Sequence, residues 1–287
     1  MPSDAKLAMM QPRRFRQVDV FASAPLRGNP VAVVLDADGI DDADMLAFTR
    51  WTNLSEATFL LPPRDPRADY RLRIFTAARE LPFAGHPTLG SAHAWLEAGG
   101  VPGVDGLLVQ ECDAGLIDIR RDGARLAFSA PPLQREGPVE ADLAERVVRA
   151  LGVDPQRVRG VQWVDNGPGW IGALLHSAQD VLDLEIDRAA LRGLDVGVIG
   201  PHPDGGPEDL EVRAFFTGGD VSEDPVTGSL NASLAQWLIG AGLAPPHYRA
   251  RQGTAMGREG IVEIEQDGDR IWVGGACHTC FEGLVRL

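Results

Sequence analysis

Three residues of the 287-residue chain have the type and surroundings that proton transfer needs: Glu56, His86 and Asp224. Glu56 stands in Asn53-Leu54-Ser55-Glu56-Ala57-Thr58-Phe59, where a polar helix exit meets an apolar strand. A carboxyl group placed there is partly desolvated, which raises its pKa toward working pH and suits it to general-base work. A strand-start carboxylate in water is the other reading of that position. His86 and Asp224 head two similar strings, His86-Pro87-Thr88-Leu89-Gly90-Ser91-Ala92 and Asp224-Pro225-Val226-Thr227-Gly228-Ser229-Leu230. At matching positions, a histidine and an aspartate form a donor and an acceptor, or an acid and a base. The positive potential of a helix start favours an ionised Asp224 and a neutral His86. Glu80 and Glu223 read as loop acids in water, which leaves Glu56 as the candidate base.

The two strings belong to a longer repeat. Each follows a strand ending in Phe-Thr (Phe75-Thr76 and Phe216-Thr217) with an arginine before it (Arg73 and Arg213). Each runs into an apolar helix that carries a tryptophan (Trp95 and Trp237) and ends at glycine. Pro, Gly and Ser coincide at a spacing of 138 residues, from His86 to Asp224. Duplication implies two similar halves with a cleft between them, and predicts that Pro87, Gly90 and Ser91 superpose on Pro225, Gly228 and Ser229. Proline just inside a helix start loses no hydrogen bond, and the small residues after it leave backbone N–H groups open to a carboxylate or phosphate. A single string of this kind also suits a helix start whose small residues allow close packing.

The elements that must position these groups are strand-rich. Strands are expected at Arg14–Phe21, Pro30–Leu35, Glu56–Leu61, from Tyr70 on, at Gln162–Leu175 and at Leu210–Phe216. Leu107–Phe128 reads as a meander broken near Gly115 and at Asp122-Gly123, and Ile261–Val273 as a hairpin. Helices are expected at Asp41–Trp51 and Ala141–Leu151. The expected organisation is an N-terminal lobe over residues 12–130, completed by the last strand at about 281–287, a C-terminal lobe over 131–280, and a tail at 1–11. Trp51, Trp95 and Trp237 read as core residues, and His176, His202 and His247 as single surface histidines.

Composition narrows the functions. With 27 Lys+Arg against 41 Asp+Glu, the net charge of −14 argues against nucleic acid and anionic lipid as partners. Hydrophobic residues at 44 % support a buried core, and no apolar run is long enough for a membrane span. Lys6 is the only lysine, so neither a pyridoxal-phosphate Schiff base nor a Walker A loop is encoded in the body of the chain. Cys112, Cys277 and Cys280 are an odd set. Cys277-His278-Thr279-Cys280 has no second pair and sits in an expected strand, which reads as packing rather than metal binding. No cofactor or metal is expected, and the cytoplasm is the expected location.

The ordered set Asp19-Val20-Phe21, Gly28-Asn29-Pro30-Val31-Ala32-Val33, Asn53 to Phe59, Arg73-Ile74-Phe75-Thr76, Glu80 to Gly90, Asn166-Gly167-Pro168 and Glu223 to Ser229 resembles the PhzF-like phenazine-biosynthesis family over nearly the whole chain. The resemblance implies the α/β diaminopimelate-epimerase-like fold: two pseudo-symmetric lobes, each a curled, mostly antiparallel sheet around a central apolar helix. It implies a cofactor-free isomerase acting on a small unsaturated or cyclic carboxylic acid, in the best understood member a dihydro-hydroxyanthranilate, and a homodimer. By motif, Glu56 resembles the base and proton shuttle, with His86, Asp224 and Ser229 holding the substrate and relaying protons. Gly85 and Gly228 would offer backbone N–H groups to the carboxylate, and Ser55 joins the substrate-binding set. The loops depart from the related two-thiol racemases in lacking cysteine. A cysteine-free epimerase with Glu56 and Asp224 on opposite faces, and a non-catalytic binder of small carboxylates, are the alternative readings.

Overall fold

The computed structural model describes residues 11–217 and 222–287, so Lys6 and all of the expected tail except Gln11 lie outside the described residues. The chain divides into two compact units. The first holds residues up to Val20, Pro30–Phe128 and Ala276–Leu287; the second holds Phe21–Asn29 and Ser129–Gly275.

In the first unit the strands are β1 (Pro12–Val20), β2 (Asn29–Val34), β3 (Glu56–Leu61), β4 (Tyr70–Thr76), β5 (Glu80–Leu81), β6 (Leu107–Cys112), β7 (Gly115–Asp122) and β8 (Arg125–Ser129). The last residues of β17 (Arg270–Arg286) pair antiparallel with β1, from Val20 opposite Cys277 to Pro12 opposite Arg286. β2 and β3 run parallel, as do β4 and β6; β3–β4, β4–β5, β6–β7 and β7–β8 are antiparallel. Helix α1 (Asp42–Thr52) fills the parallel crossover from β2 to β3, and α2 (Gly85–Glu97) follows β5. α2 touches β1, β3, β4 and β6, so the sheet curls around it. Its apolar and small residues face inward on all sides, the pattern of a helix enclosed by its own sheet.

The second unit repeats this plan. Its strands are β9 (Arg135–Pro138), β10 (Val158–Asp165), β11 (Trp170–Leu175), β12 (Asp195–Pro201), β13 (Leu210–Phe216), β14 (Ser222–Asp224), β15 (His247–Gln252), β16 (Gly260–Asp267) and the start of β17. β11 and β12 are parallel, as are β13 and β15, in the places of β2–β3 and β4–β6. α3 (Ala141–Ala150), α4 (Ala178–Leu182) and α5 (Arg188–Leu191) cover this sheet on one side, and α6 (Gly228–Gly240) is the central helix. The expected α/β architecture of two related halves is therefore present.

The register of the repeat differs from the sequence reading. β5 puts Glu80 opposite Phe75 and Leu81 opposite Ile74; β14 puts Glu223 opposite Phe215 and Asp224 opposite Ala214. α2 and α6 are each 13 residues long and open with Gly85 and Gly228. The true spacing at the helices is thus 143 residues, five more than the 138 of the Pro-x-x-Gly-Ser match. Leu81 corresponds to Asp224, and His86 to Ser229. Gly90 lies inside α2 rather than at its mouth, where an added Cβ would come within 2.4 Å of Val31 and 3.0 Å of Val20. Its role is close packing of the helix on β1 and β2.

Three smaller expectations are corrected. Trp51 is 80 % exposed, since its helix buries Met45, Phe48 and Thr49 on the opposite face. His202 is not a surface histidine: its side chain lies 3.0 Å from the fully buried carboxylate of Glu211. His247 is exposed, as expected, at the start of strand β15. Glu80 and Glu223 are strand rather than loop acids, Glu80 exposed and Glu223 largely buried, and each receives two side-chain hydrogen bonds, from Arg73 and Arg213, across the β4–β5 and β13–β14 hairpins.

Candidate active site

Glu56 is aimed by the turn before it. α1 ends at Asn53, whose left-handed φ of 56° reverses the chain so that Leu54 and Ser55 lead into β3. Ser55 is exposed, and Glu56 is the first strand residue, paired with Thr76. His86 is the second residue of α2, whose start is pinned by a chain of side chains. Tyr70 donates to Gln110, Gln110 donates to Thr88, and further along the helix Ser91 donates to Thr58 on β3. The first helical hydrogen bond runs from Thr88 N to Ala84 O, so Pro87 costs none and the N–H groups of Gly85 and His86 precede it.

These constraints bring His86 Nε2 to 3.3 Å from Glu56 Oε2, with side chains 6 % and 15 % exposed. Burial pushes the His86 ring down to about 3. The imidazole is therefore neutral at pH 7, as the sequence suggests, but desolvation is the cause rather than the helix terminus. A neutral imidazole beside a carboxylate carries no opposing charge, so this close approach is not an ion pair.

The second unit assembles a different set. Asp224 ends β14 and is buried. Its Oδ1 accepts from Asn29 Nδ2 at 3.1 Å and its Oδ2 accepts from Thr227 Oγ1 at 2.5 Å. Burial raises this carboxyl to about 6, against the opposing pull of the Thr227 and Asn29 bonds, while the nearby Glu223 adds to the rise. The expectation of an Asp224 kept strongly ionised by a helix mouth is thereby corrected, because desolvation dominates. Ser229, second residue of α6, accepts from Trp170 Nε1 on its hydroxyl, and its carbonyl accepts from Asn166 Nδ2. Gly228 is buried as the first residue of the helix.

Sequence reasoning missed the polar residues that support Asp224: Asn29, Thr227, Asn231 and Gln252. Asn29 and Thr227 lie inside the motif strings, where only a role was wanting. Asn231 offers one signal, an amide between Leu230 and Ala232, which burial makes costly unless its polar atoms are bonded, whereas Gln252 between Arg251 and Gly253 offers none.

A match to the family model described as "Phenazine biosynthesis-like protein" covers residues 18–283. The chain is 44 % identical to an uncharacterized isomerase of Mesorhizobium japonicum, over 89 % of this chain and 91 % of that one. It is 33 % identical to a trans-2,3-dihydro-3-hydroxyanthranilate isomerase of Pseudomonas fluorescens, over 94 % and 98 %. Among solved structures, a PhzF-family phenazine biosynthesis protein of Enterococcus faecalis aligns with a TM-score of 0.80 at 25 % identity, over 96 % of this chain and all of that one. Full-length matches in sequence and fold, around a carboxylate set beside a neutral imidazole, make this chain an isomerase that belongs to the phenazine biosynthesis-like protein family.

Proposed function

We propose that the protein is a cofactor-independent isomerase that moves one proton along a small unsaturated or cyclic carboxylic acid, with Glu56 as the shuttle. The observation that carries this reading is the enclosed Glu56–His86 pair. The Glu56 carboxylate takes a proton from a carbon next to the unsaturated system and returns it to another carbon on the same face, so the enzyme ends as it began. His86, kept neutral by burial, offers a ring N–H to the charge that builds up on the substrate. Gly85, Gly228, Ser55, Ser229 and Asp224 keep the substrate-holding roles that the family motifs imply. The working species in this reading is a cytoplasmic homodimer, which sedimentation and fractionation test directly.

The first acid to try is trans-2,3-dihydro-3-hydroxyanthranilate, the substrate in the name of a relative. In deuterium oxide the enzyme should place deuterium on carbon. Glu56→Gln should keep the fold and bind the acid while turnover falls by roughly 10²–10⁴-fold. Near-full turnover in that variant would sink the assignment. The elevated pKa of Asp224 favours one second reading, an epimerase with Asp224 as the other base. That outcome would appear as inversion at the labelled carbon, lost in Asp224→Asn.

A further inference from the structure

The amides around Asp224 are oriented by backbone groups that can act in one way only. Gln252 Oε1 accepts from the backbone N–H of Thr227 at 3.0 Å, and a backbone N–H can only donate. Its Nε2 donates to the backbone carbonyl of Asp224 at 3.1 Å, and a carbonyl can only accept. The amide orientation of Gln252 is thereby settled from both ends, and Asn231 Nδ2 adds a second donor to Oε1 at 2.8 Å. Held this way, Gln252 Nε2 also donates to Thr227 Oγ1 at 2.9 Å. With one hydroxyl lone pair taken by Gln252, Thr227 points its single proton at Asp224 Oδ2, a bond that an ionised Asp224 can only accept. On the other side Asn29 Nδ2 donates to the Val226 carbonyl at 2.9 Å, which fixes that amide so that Nδ2 faces Asp224 Oδ1.

We infer that Gln252, Thr227 and Asn29 form a hydrogen-bond relay that aims a donor at each oxygen of Asp224 and so favours this buried side chain as a carboxylate, ready to accept a hydrogen bond from substrate. The three act through Asp224 and are positioning residues; only the use made of the carboxylate rests on the isomerase reading. The α6 start gives no competing explanation for Thr227, whose hydroxyl makes no capping bond to the helix. Among the described residues, the neighbouring charge acting on Asp224 is Glu223, itself held by Arg213.

The test is the titration of Asp224 in the intact protein, followed by carbon NMR of aspartate labelled at the carboxyl carbon. Thr227→Val keeps the shape and removes the hydroxyl. The Asp224 midpoint should rise by about one pH unit, the scale of one lost bond to a charged group. Thr227→Ser should bring it back. Asn29→Leu strips the other oxygen and should give a rise of its own, which covers the case where the valine variant does not fold. The acid limb of kcat/KM against pH should move with the midpoint. A midpoint unmoved in Thr227→Val or in Asn29→Leu overturns the relay, as does a rise that serine fails to reverse. These titrations need no substrate, so their failure is distinct from failure of the isomerase reading, which shows in the Glu56→Gln exchange.

Discussion

His86 should make the protein sensitive to mild acid, in a way that one substitution removes. Its folded pKa of about 3 lies below the ordinary 6.5, so the unfolded chain binds the extra proton first. The stability that the neutral ring allows is complete above 6.5 and is lost as pH falls from there toward 3. At pH 5 the loss is about 2 kcal/mol, one and a half units at 1.36 kcal/mol each. Asp224 works in the opposite direction. Its folded value of about 6 exceeds the ordinary 3.8, so its contribution is greatest below 3.8 and is lost as pH rises through 6. Between pH 7 and pH 5 it returns about 1 kcal/mol. His86→Gln keeps a donor of similar reach at a helical position and removes the titration. Urea unfolding at pH 7, 6 and 5 gives the stability of wild type and variant at each pH. The difference between them should shift against wild type by about 2 kcal/mol across that range, since all other groups are common to both. A difference constant within about 0.5 kcal/mol would refute the claim that burial holds this ring neutral.

Gly90→Ala should destabilise by about 1–3 kcal/mol despite the better helix propensity of alanine, because the new Cβ would fall within 2.4 Å of the branched Val31 side chain. Thermal or urea unfolding measures this, and a stabilised variant would show that α2 has room on β2. Trp51→Ser, at a position 80 % exposed, should stay within about 0.5 kcal/mol of wild type, whereas Trp170→Ala, at a fully buried one, should lose about 3–5 kcal/mol. Equal effects at the two tryptophans would overturn the burial pattern.

How far the sequence reveals this molecule depends on whether the signal is local. Strand β3 reads correctly to the residue because Pro62-Pro63 stops it and Ala57, Phe59 and Leu61 carry its inward side. The meander from Leu107 reads well because turn residues mark each reversal. β12 and β15 escape: Asp195-Val196-Gly197-Val198 is broken by glycine, and His247-Tyr248-Arg249-Ala250 by charge, so their strand character comes from neighbours in the sheet. Trp51 deceives because helical spacing shows that one face is buried without showing which residues lie on it. Nothing in Phe21–Asn29 signals that it groups with the second unit, a matter of long-range pairing such as Ala22 with Gly260.

The repeat is the instructive case, because the right conclusion came with the wrong alignment. Pro-x-x-Gly-Ser occurs in both halves, but in the first it lies within α2 and in the second it straddles the start of α6. The features that do correspond are less conspicuous: the Arg73–Glu80 and Arg213–Glu223 pairs bracing the same hairpin, and the two glycines that open the helices. With this register Asp224 has leucine for a counterpart and His86 has serine, so the chemistry is not shared between matching positions. Glu56 and His86 face one another within the first unit, where burial holds the imidazole neutral beside the carboxyl group. Asp224 sits in the second unit among amides and a hydroxyl that all donate toward it. A duplicated frame has thus come to hold two carboxylates in unlike surroundings, one beside a ring that cannot take a proton at neutral pH and one braced by fixed donors.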